Sequence, residues 1–378
     1  MSEVRKKPRK RSRSSETVLL APEEALNLTQ AKGRIEEWLR RAVEQKVSDI
    51  HLVEGLPPMF RLHGALQGIE GTSMLSSPEI EAIARVICTD KQWREYGELG
   101  EVDLAYELKD ISRFRVNVFR QMDTVAIALR QIPIDIPNLS SLGMPEVLRS
   151  MIQKNQGLFL VTGPTGSGKS TTLAAMLDYL NETKKTHILT LEDPVEYLHK
   201  HKKSIISQRE IGRDTESFAN GLRAALRQDP DVILVGEMRD FDTISIALTA
   251  AETGHLVLGT LHTSSAPSTI ERIVDVFPAE QQSQVRTQLA GALIGILSQR
   301  LLPTMDGDGR VAATEMLVNS KGIASIIRSG KTHQITNMLL MGKAEGMHTM
   351  STSVTQLSQA GRVDADVASG ILDDGGGA

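Results

Sequence analysis

The sequence predicts an α/β protein in which a mostly parallel β-sheet, covered by helices on both faces, follows a smaller α+β domain. From residue 145 onward, short β-rich segments alternate with helical patterns, which is typical of a parallel sheet. Before residue 137, segments with strand character follow one another between Gly- or Pro-bearing turns. The length of 378 residues also exceeds that of one average domain and favours two.

The first predicted element is a basic tail. Seven of the first thirteen residues are Lys or Arg, and residues 1–22 are expected to be disordered, with docking onto anionic lipid or nucleic acid as the alternative. A helical pattern begins near Leu26, and residues 23–137 form the smaller domain. A helix is predicted near Pro78–Cys88, and the predicted strands are Asp49–Val53, Met59–Leu62, Val102–Leu108, Arg113–Phe119 and Val125–Ile132.

A proline-bearing segment separates the two predicted domains. The stretch Ile132–Pro137 contains too many prolines for a helix, and the linker is placed at residues 138–144. The larger domain takes residues 145–350, and residues 351–378 form a helical or disordered tail. Its predicted strands are Gly157–Thr162, His187–Leu191, Val232–Val235 and His255–Thr260.

The composition argues against several classes of protein. Aromatic residues make up only 3% of the chain, too few for a stacking platform for single-stranded nucleic acid. The single cysteine, Cys88, excludes an internal disulfide and a paired CxxC zinc site, and no apolar run reaches the roughly 18 to 20 residues that span a bilayer. Removing the seven basic residues and Glu3 of the tail from totals of 43 basic and 47 acidic residues leaves the rest of the chain at about −10. A cytoplasmic protein that does not bind nucleic acid is therefore expected.

One glycine-rich segment lies between a predicted strand and a predicted helix. It follows the apolar run Leu158–Val161 and precedes a helical pattern over Thr171–Leu180. Glycines in this position let backbone N–H groups converge on phosphate oxygens, and the helix N-terminus adds positive potential. Lys169 is expected to reach the β- and γ-phosphates of ATP, and Ser170 to supply a hydroxyl to Mg²⁺. The residues expected to bind the nucleotide here are Gly163, Pro164, Thr165, Gly166, Ser167, Gly168, Lys169, Ser170 and Thr171.

A second strand ends in an acid. The apolar run that begins at Asp231 ends at Glu237, a position from which a carboxylate can contact Mg²⁺ or orient the attacking water. Gly236 replaces the aspartate that is usual one residue earlier. A solvated glutamate at the end of a strand is the alternative.

A third acidic segment lies between these two motifs. Glu192, Asp193 and Glu196 follow the predicted strand that ends at Leu191. Clustered carboxylates can hold Mg²⁺ or deprotonate water, and an acidic loop is the alternative.

Two histidines flank another predicted strand. His255 and His262 are seven residues apart, so a regular strand would direct them to opposite faces, which argues against a shared metal ion. One of them could sense the γ-phosphate while the other packs or faces a neighbour. A structural role is the alternative for each.

In this order and spacing the motifs resemble those of the secretion ATPases (the GspE/PilT superfamily), and within them those of the type IV pilus retraction (PilT-like) ATPases. The resemblance runs from Ser48 to Thr349 and includes Arg227–Arg239 and Arg272–Pro278. Gly236 is the usual residue of this family at its position. No CxxC zinc module and no extra leading domain of the kind typical of pilus extension ATPases are expected, which favours the retraction branch.

The resemblance implies a PAS-like amino-terminal domain and a RecA-like carboxyl-terminal ATPase domain. It implies a homohexameric ring at the cytoplasmic face of the bacterial inner membrane, associated with the membrane through a pilus platform protein and the pilin machinery. Hydrolysis of ATP with Mg²⁺ would there drive the withdrawal of pilin, and hence twitching motility.

The resemblance also implies residue roles. Glu196 would activate water with Glu237 as its partner at Mg²⁺, and Glu192 and Asp193 would lie at the nucleotide. Arg115 and Arg130 would clamp the phosphates, and a surface salt bridge is the alternative for each arginine. Arg113 is a weaker alternative to Arg115 as a clamp residue. Arg227 and Arg272 would line the nucleotide site or the subunit interface.

Three other functions stay open at this point. Gly322–Ser329 matches only loosely the arginine-bearing motif linked to retraction, which leaves an accessory pilus motor as an alternative. A conjugation or effector-secretion ATPase of the same superfamily is the second alternative. The third is a nucleotide-gated scaffold with little turnover.

Overall fold

The computed structural model describes residues 22–62, 65–109, 111–132, 135–307 and 309–375. The chain divides into two compact units, with the division between residues 133 and 134. The predicted basic tail lies outside the described residues except for Pro22, where the first helix begins. None of the helices in the described ranges is both long and apolar enough to cross a membrane.

The first unit contains a six-stranded antiparallel sheet in the order β3-β2-β1-β6-β5-β4. Burial alternates along its central strands, so that Phe114 and Val116 face the core while Arg115 is exposed. Ile35 of the first helix and Ile83 of the second belong to the same core. The elements are α1 (Pro22–Glu44), β1 (Asp49–Leu52), β2 (Met59–Leu62), β3 (Ala65–Gly68), α2 (Ser77–Ile87), α3 (Asp90–Leu99), β4 (Glu101–Leu108), β5 (Ser112–Gln121) and β6 (Thr124–Ile132).

The second unit contains a seven-stranded sheet in the order β13-β12-β7-β11-β10-β8-β9. All neighbours are parallel except β12 and β13. Its strands are β7 (Gly157–Thr162), β8 (His187–Glu192), β9 (Ile205–Glu210), β10 (Val232–Val235), β11 (Leu256–Leu261), β12 (Leu293–Pro303) and β13 (Arg310–Val318). Its α-helices are α4 (Val147–Ile152), α5 (Lys169–Thr183), α6 (Phe218–Ala225), α7 (Phe241–Glu252), α8 (Ala266–Asp275), α9 (Gln282–Ala292), α10 (Lys321–Ser329), α11 (Ile335–Met341), α12 (Met350–Gln359) and α13 (Ala365–Gly375).

Helices cover both faces of this sheet, because its central strands are apolar on both sides. Every residue of β7, β10 and β11 is buried. Leu160 packs into one core with helices α6 to α10, whereas Phe159, the residue before it, packs into a second core with α4 and α5. The predicted α/β fold class is therefore confirmed.

A buried carboxylate connects two helices of the second unit. Glu315 of β13 accepts a hydrogen bond from the N–H of Ala266 (2.8 Å), at the start of α8, and another from the N–H of Met350, at the start of α12. Burial raises the pKa of Glu315, and these two hydrogen bonds partly offset that rise. The carboxylate thus satisfies a free N–H at two helix N-termini.

Candidate active site

The glycine-rich loop lies at the carboxyl end of the central strand β7. Gly163 (φ 144°) and Gly166 (φ 78°) have left-handed backbone conformations, as does Gly168 (φ 86°) directly before α5. A Cβ at Gly163 would collide with the backbone oxygen of Gln299 and with the Oγ of Ser167. Glycine is therefore required where the loop leaves the strand.

Lys169, the first residue of α5, folds back over this loop. Its Nζ donates to the carbonyl oxygens of Gly163 (2.8 Å) and Pro164 (3.1 Å). Burial lowers the pKa of Lys169, and the negative charge of Glu237 opposes that shift. Because both acceptors are loop carbonyls, the ammonium group can exchange them for an anion bound in the same loop.

Glu237 follows β10 and lies beside the glycine-rich loop. Its Oε1 is 3.0 Å from the Nε2 of His262 and also pairs with Arg239. The other ring nitrogen of His262 is 3.5 Å from the hydroxyl of Thr165 in the loop. The structure thus brings together Lys169, Glu237 and His262, which the sequence singled out in three separate motifs.

Gly236, directly after β10, packs closely against the end of β8. The Gly236 N–H donates to the carbonyl of Leu191 in β8 (2.8 Å). A Cβ at Gly236 would lie 3.0 Å from that oxygen and 3.3 Å from the Cα of Glu192. Any side chain at this position would therefore be tightly packed against the end of β8.

Glu192 ends β8 with its carboxylate surrounded by hydrogen-bond donors. The donors are the Thr190 hydroxyl (2.6 Å), the Gln208 amide (3.1 Å) and the backbone N–H of Glu196. Burial raises the pKa of Glu192, the three hydrogen bonds lower it, and the net direction is upward.

Glu196 is exposed, and it precedes a tyrosine that contacts the loop helix. The hydroxyl of Tyr197 lies 2.9 Å from that of Thr171 in α5. Asp193, also exposed, precedes Pro194 through a cis peptide bond. The segment that carries Glu196 therefore lies next to the first turn of α5.

Three other residues expected at the nucleotide or the subunit interface form no hydrogen bond or ion pair with Lys169, Glu237 or His262 in the part of the chain that the structure describes. His255 directly precedes β11, at the amino ends of the parallel strands, whereas the glycine-rich loop lies at their carboxyl ends. Its Nδ1 is 3.1 Å from the carbonyl of Ala250. Arg227 and Arg272 have exposed side chains, the latter in the last turn of α8.

The two expected clamp arginines are cross-strand neighbours in the first unit. Arg115 of β5 and Arg130 of β6 are directly paired, and both are exposed. The Nε of Arg130 lies 2.8 Å from Oδ1 of Asp49, whereas Arg115 has no ion-pair partner among the residues that the structure describes. Burial raises the pKa of Asp49, but the hydrogen bond from Arg130 and its positive charge contribute to a net lowering. Arg113, two residues before Arg115 in the same strand, is buried instead.

Two glutamines at the site were not identified from the sequence. Gln299 of β12 donates from its Nε2 to the carbonyl of Ser167 (2.6 Å) and so supports the loop from the neighbouring strand. Gln208 of β9 contacts the segment that follows Glu196. Neither belongs to a motif, and β9 and β12 were not among the predicted strands, so no pattern in the sequence could identify them.

This arrangement is suited to binding a phosphate group. A glycine loop at a helix N-terminus provides backbone donors, Lys169 adds a cation, and Glu237, paired with His262 and Arg239, places a carboxylate beside the loop. The Ser167 hydroxyl is buried without a hydrogen-bond partner in the described structure, which leaves a donor inside the loop. Fold and site together define a P-loop protein of the α/β class.

Comparison with known proteins places the chain within that class. Residues 26–369 match the family model described as type II/IV secretion system protein, and the chain belongs to this family. It is 47% identical over 334 residues to the type IV pilus retraction ATPase PilT of Pseudomonas aeruginosa, covering 88% of this chain and 96% of the relative. It is also 47% identical over 330 residues to a twitching motility protein of Neisseria gonorrhoeae, covering 87% and 88%.

A solved structure shows the same fold. The crystal structure of the pilus retraction motor PilT with bound ADP superposes with a TM-score of 0.84 at 47% identity, covering 88% of this chain and 95% of the other. The resemblance to the PilT-like secretion ATPases is thereby confirmed.

Proposed function

We propose that this chain is an Mg²⁺-dependent ATPase motor that drives the withdrawal of pilin and the retraction of type IV pili. The observation that supports the proposal most directly is the position of Lys169, Glu237 and His262 around one glycine-rich loop. Identity of 47% to PilT and a twitching motility protein over most of the chain supports the same function.

The proposed reaction converts ATP and water to ADP and phosphate. The loop amides and Lys169 bind the phosphates, and Glu196 accepts a proton from the attacking water. Ser170 and Glu237 would hold Mg²⁺, which supplies positive charge to the β- and γ-oxygens when it is bound. The His262 ring, 3.0 Å from the Glu237 carboxylate, orients that carboxylate towards the loop.

The proposed assembly is a homohexamer at the cytoplasmic face of the inner membrane. A phosphate site at the edge of the sheet can be completed by a neighbouring subunit, and heterologous contacts of this kind can close into rings. Association with the membrane would come from the pilus platform protein and the pilin machinery.

The cellular function can be tested by imaging pili in a strain that lacks the gene. Loss of a retraction motor should leave excess pili that do not retract, because extension continues without withdrawal. Complementation with the parent gene is the control. Bald cells, or pili that retract at the normal rate, would contradict the proposal.

A finer part of the proposal concerns Arg115 and Arg130. These exposed, adjacent arginines in the first unit would clamp the γ-phosphate, so that ATP binding draws the two units together. A ligand shifts such an equilibrium only by its difference in affinity for the two states. Losing both arginines should therefore uncouple ATP binding from closure.

The double variant Arg115→Ala, Arg130→Ala should keep nucleotide affinity within about one order of magnitude but lose most turnover. Affinity is retained because Lys169 and the loop amides remain. Distance labels on the two units should report closure with an ATP analogue in the parent and little in the variant. Exposed Arg40 and Arg94, replaced by alanine, are the matched control.

Two results would count against the clamp. Normal hydrolysis or equal closure in the double variant would return the role to Arg113, Arg227 or Arg272.

The clamp test depends on the proposed ring, which can be checked by measuring the mass of the parent protein in the presence of an ATP analogue. A monomer at micromolar concentration would contradict the hexamer.

A further inference from the structure

One amide side chain in the second unit makes three hydrogen bonds near the site. The Nε2 of Gln208 donates to Oε1 of Glu192 (3.1 Å) and to the carbonyl of Tyr197 (2.8 Å). Its Oε1 accepts from the N–H of His199 (2.9 Å). Both donors and the acceptor of the amide are therefore used, which fixes its orientation.

Strand register explains how Gln208 reaches these partners. Gln208 of β9 is directly beside Thr190 of β8 in the parallel ladder. Thr190 and Glu192 are two residues apart and so share one face of the sheet. Gln208 therefore meets the Glu192 carboxylate on the face covered by α5, where Ile188 and Ile206 also pack.

The chain that follows Glu192 is attached at several successive points. The carboxylate of Glu192 accepts the N–H of Glu196, and Gln208 binds the backbone at Tyr197 and at His199. On the other side, the Tyr197 hydroxyl is 2.9 Å from that of Thr171 in α5. Residues 196–199 are thus bonded both to the sheet and to the helix that follows the glycine-rich loop.

These hydrogen bonds occupy the Glu192 carboxylate with partners from its own chain. Its carboxylate is engaged by Thr190, by Gln208 and by the Glu196 backbone, all within the chain. Glu196, by contrast, has an exposed side chain on a backbone that is bonded on both sides. The Glu192 carboxylate therefore supports the segment, whereas the Glu196 carboxylate is available to a ligand.

We propose that Gln208 and Glu192 are positioning residues that hold the Glu196 carboxylate at the glycine-rich loop. This inference rests on the proposed role of Glu196 in activating water, and it assigns Glu192 to support of the backbone rather than to contact with the nucleotide. Displacement of a reacting group by about 1 Å can reduce turnover by about a hundredfold. Loss of the Gln208 amide should therefore reduce kcat without reducing nucleotide affinity.

The test is Gln208→Met in the full-length protein, which keeps the length of the side chain and removes all three hydrogen bonds. We expect kcat to fall about 10- to 100-fold. Affinity for a fluorescent ADP analogue should stay within about threefold, because the glycine-rich loop is untouched. Ser207→Ala is the matched control, since it removes one hydrogen bond of the adjacent residue, to Nε2 of His187 (2.9 Å), and should leave kcat unchanged.

The same substitution in a Glu196→Gln background separates positioning from general damage. If Gln208 acts through Glu196, adding Gln208→Met should reduce turnover by less than about twofold more. A full additional loss would overturn the proposal, as would normal kcat in the single variant. Normal turnover in Glu196→Gln alone would instead identify the role of Glu196 as the part that failed.

A second variant covers the case in which Gln208→Met does not fold. Glu192→Gln keeps the size of the side chain but replaces one of the two oxygens that accept from Thr190, Gln208 and the backbone of Glu196. It should lower kcat by roughly two- to tenfold, the range that corresponds to one hydrogen bond, with unchanged nucleotide affinity. Unchanged kcat in this variant would show that the Glu192 carboxylate does not hold the segment and would overturn the proposal.

Discussion

Replacing Lys169 with alanine should nearly abolish ATP hydrolysis. The ammonium group lies over the glycine-rich loop, and its charge-assisted contacts with the β- and γ-phosphates would be lost in both the ground state and the transition state. Phosphate release from the purified variant measures the effect. Turnover above about a tenth of the parent rate would contradict the assignment of this loop.

The chain offers a matched control for that substitution. Lys184 is another lysine of the second unit whose Nζ donates to backbone carbonyls, those of Gln153 (2.7 Å) and Lys154 (3.3 Å). Burial lowers its pKa, as it does for Lys169. Lys184→Ala removes comparable contacts away from the loop, so hydrolysis should persist in this variant.

Replacing Glu196 with glutamine should lower turnover by roughly 10²- to 10⁴-fold while ATP still binds, which is the range for a positioned general base. Glutamine keeps the size of the side chain but cannot accept the proton of water. Single-turnover hydrolysis together with nucleotide binding separates the two effects. Glu216→Gln, an exposed position in the same unit, is the control.

Two other outcomes of the Glu196 experiment would be informative. Loss of binding together with turnover would make Glu196 structural. Unchanged turnover would transfer water activation to Glu192 or Glu237. Both of these carboxylates already have partners within the chain. Glu192 is bonded to Thr190, Gln208 and the Glu196 backbone, and Glu237 is paired with His262 and Arg239.

The parts of the fold that were predictable are those with strong local patterns. The apolar runs at Gly157–Thr162 and Val232–Val235 form β7 and β10 at the predicted bounds, because a strand buried on both faces must be apolar throughout. The strand predicted at His255–Thr260 instead begins at Leu256. The difference matters because His255 then precedes the strand and bonds to the carbonyl of Ala250.

Other elements could not be predicted because their patterns are weak or misleading. β9 (Ile205–Glu210) has four polar residues out of six, and three of them, Ser207, Gln208 and Arg209, form side-chain hydrogen bonds instead of packing in an apolar core. β12 leaves α9 without an intervening turn, so no Gly- or Pro-bearing segment marks its start. Both strands contribute a glutamine at the site, which is why the sequence motifs gave an incomplete set of residues.

Contacts between residues that are far apart in the chain could not be predicted from the sequence either. Nothing in local pattern indicates that Arg130 meets Asp49, since the two are 81 residues apart and depend on the register of β1 with β6. The same holds for Gln299 and Ser167, separated by 132 residues. Motifs identify which chemistry is present, whereas sheet register determines which side chains support it.

The carboxylate of Glu315 ties together the starts of two helices, α8 and α12, that are far apart in the chain. α8 begins four residues after His262, and its first N–H shares Glu315 with the first N–H of α12. Separating either helix from Glu315 would leave a buried polar group unsatisfied, at a cost of about 1–3 kcal/mol. Moving the start of α8 away from Glu315 therefore carries this cost unless α12 moves with it, although the two helices begin 84 residues apart in the chain.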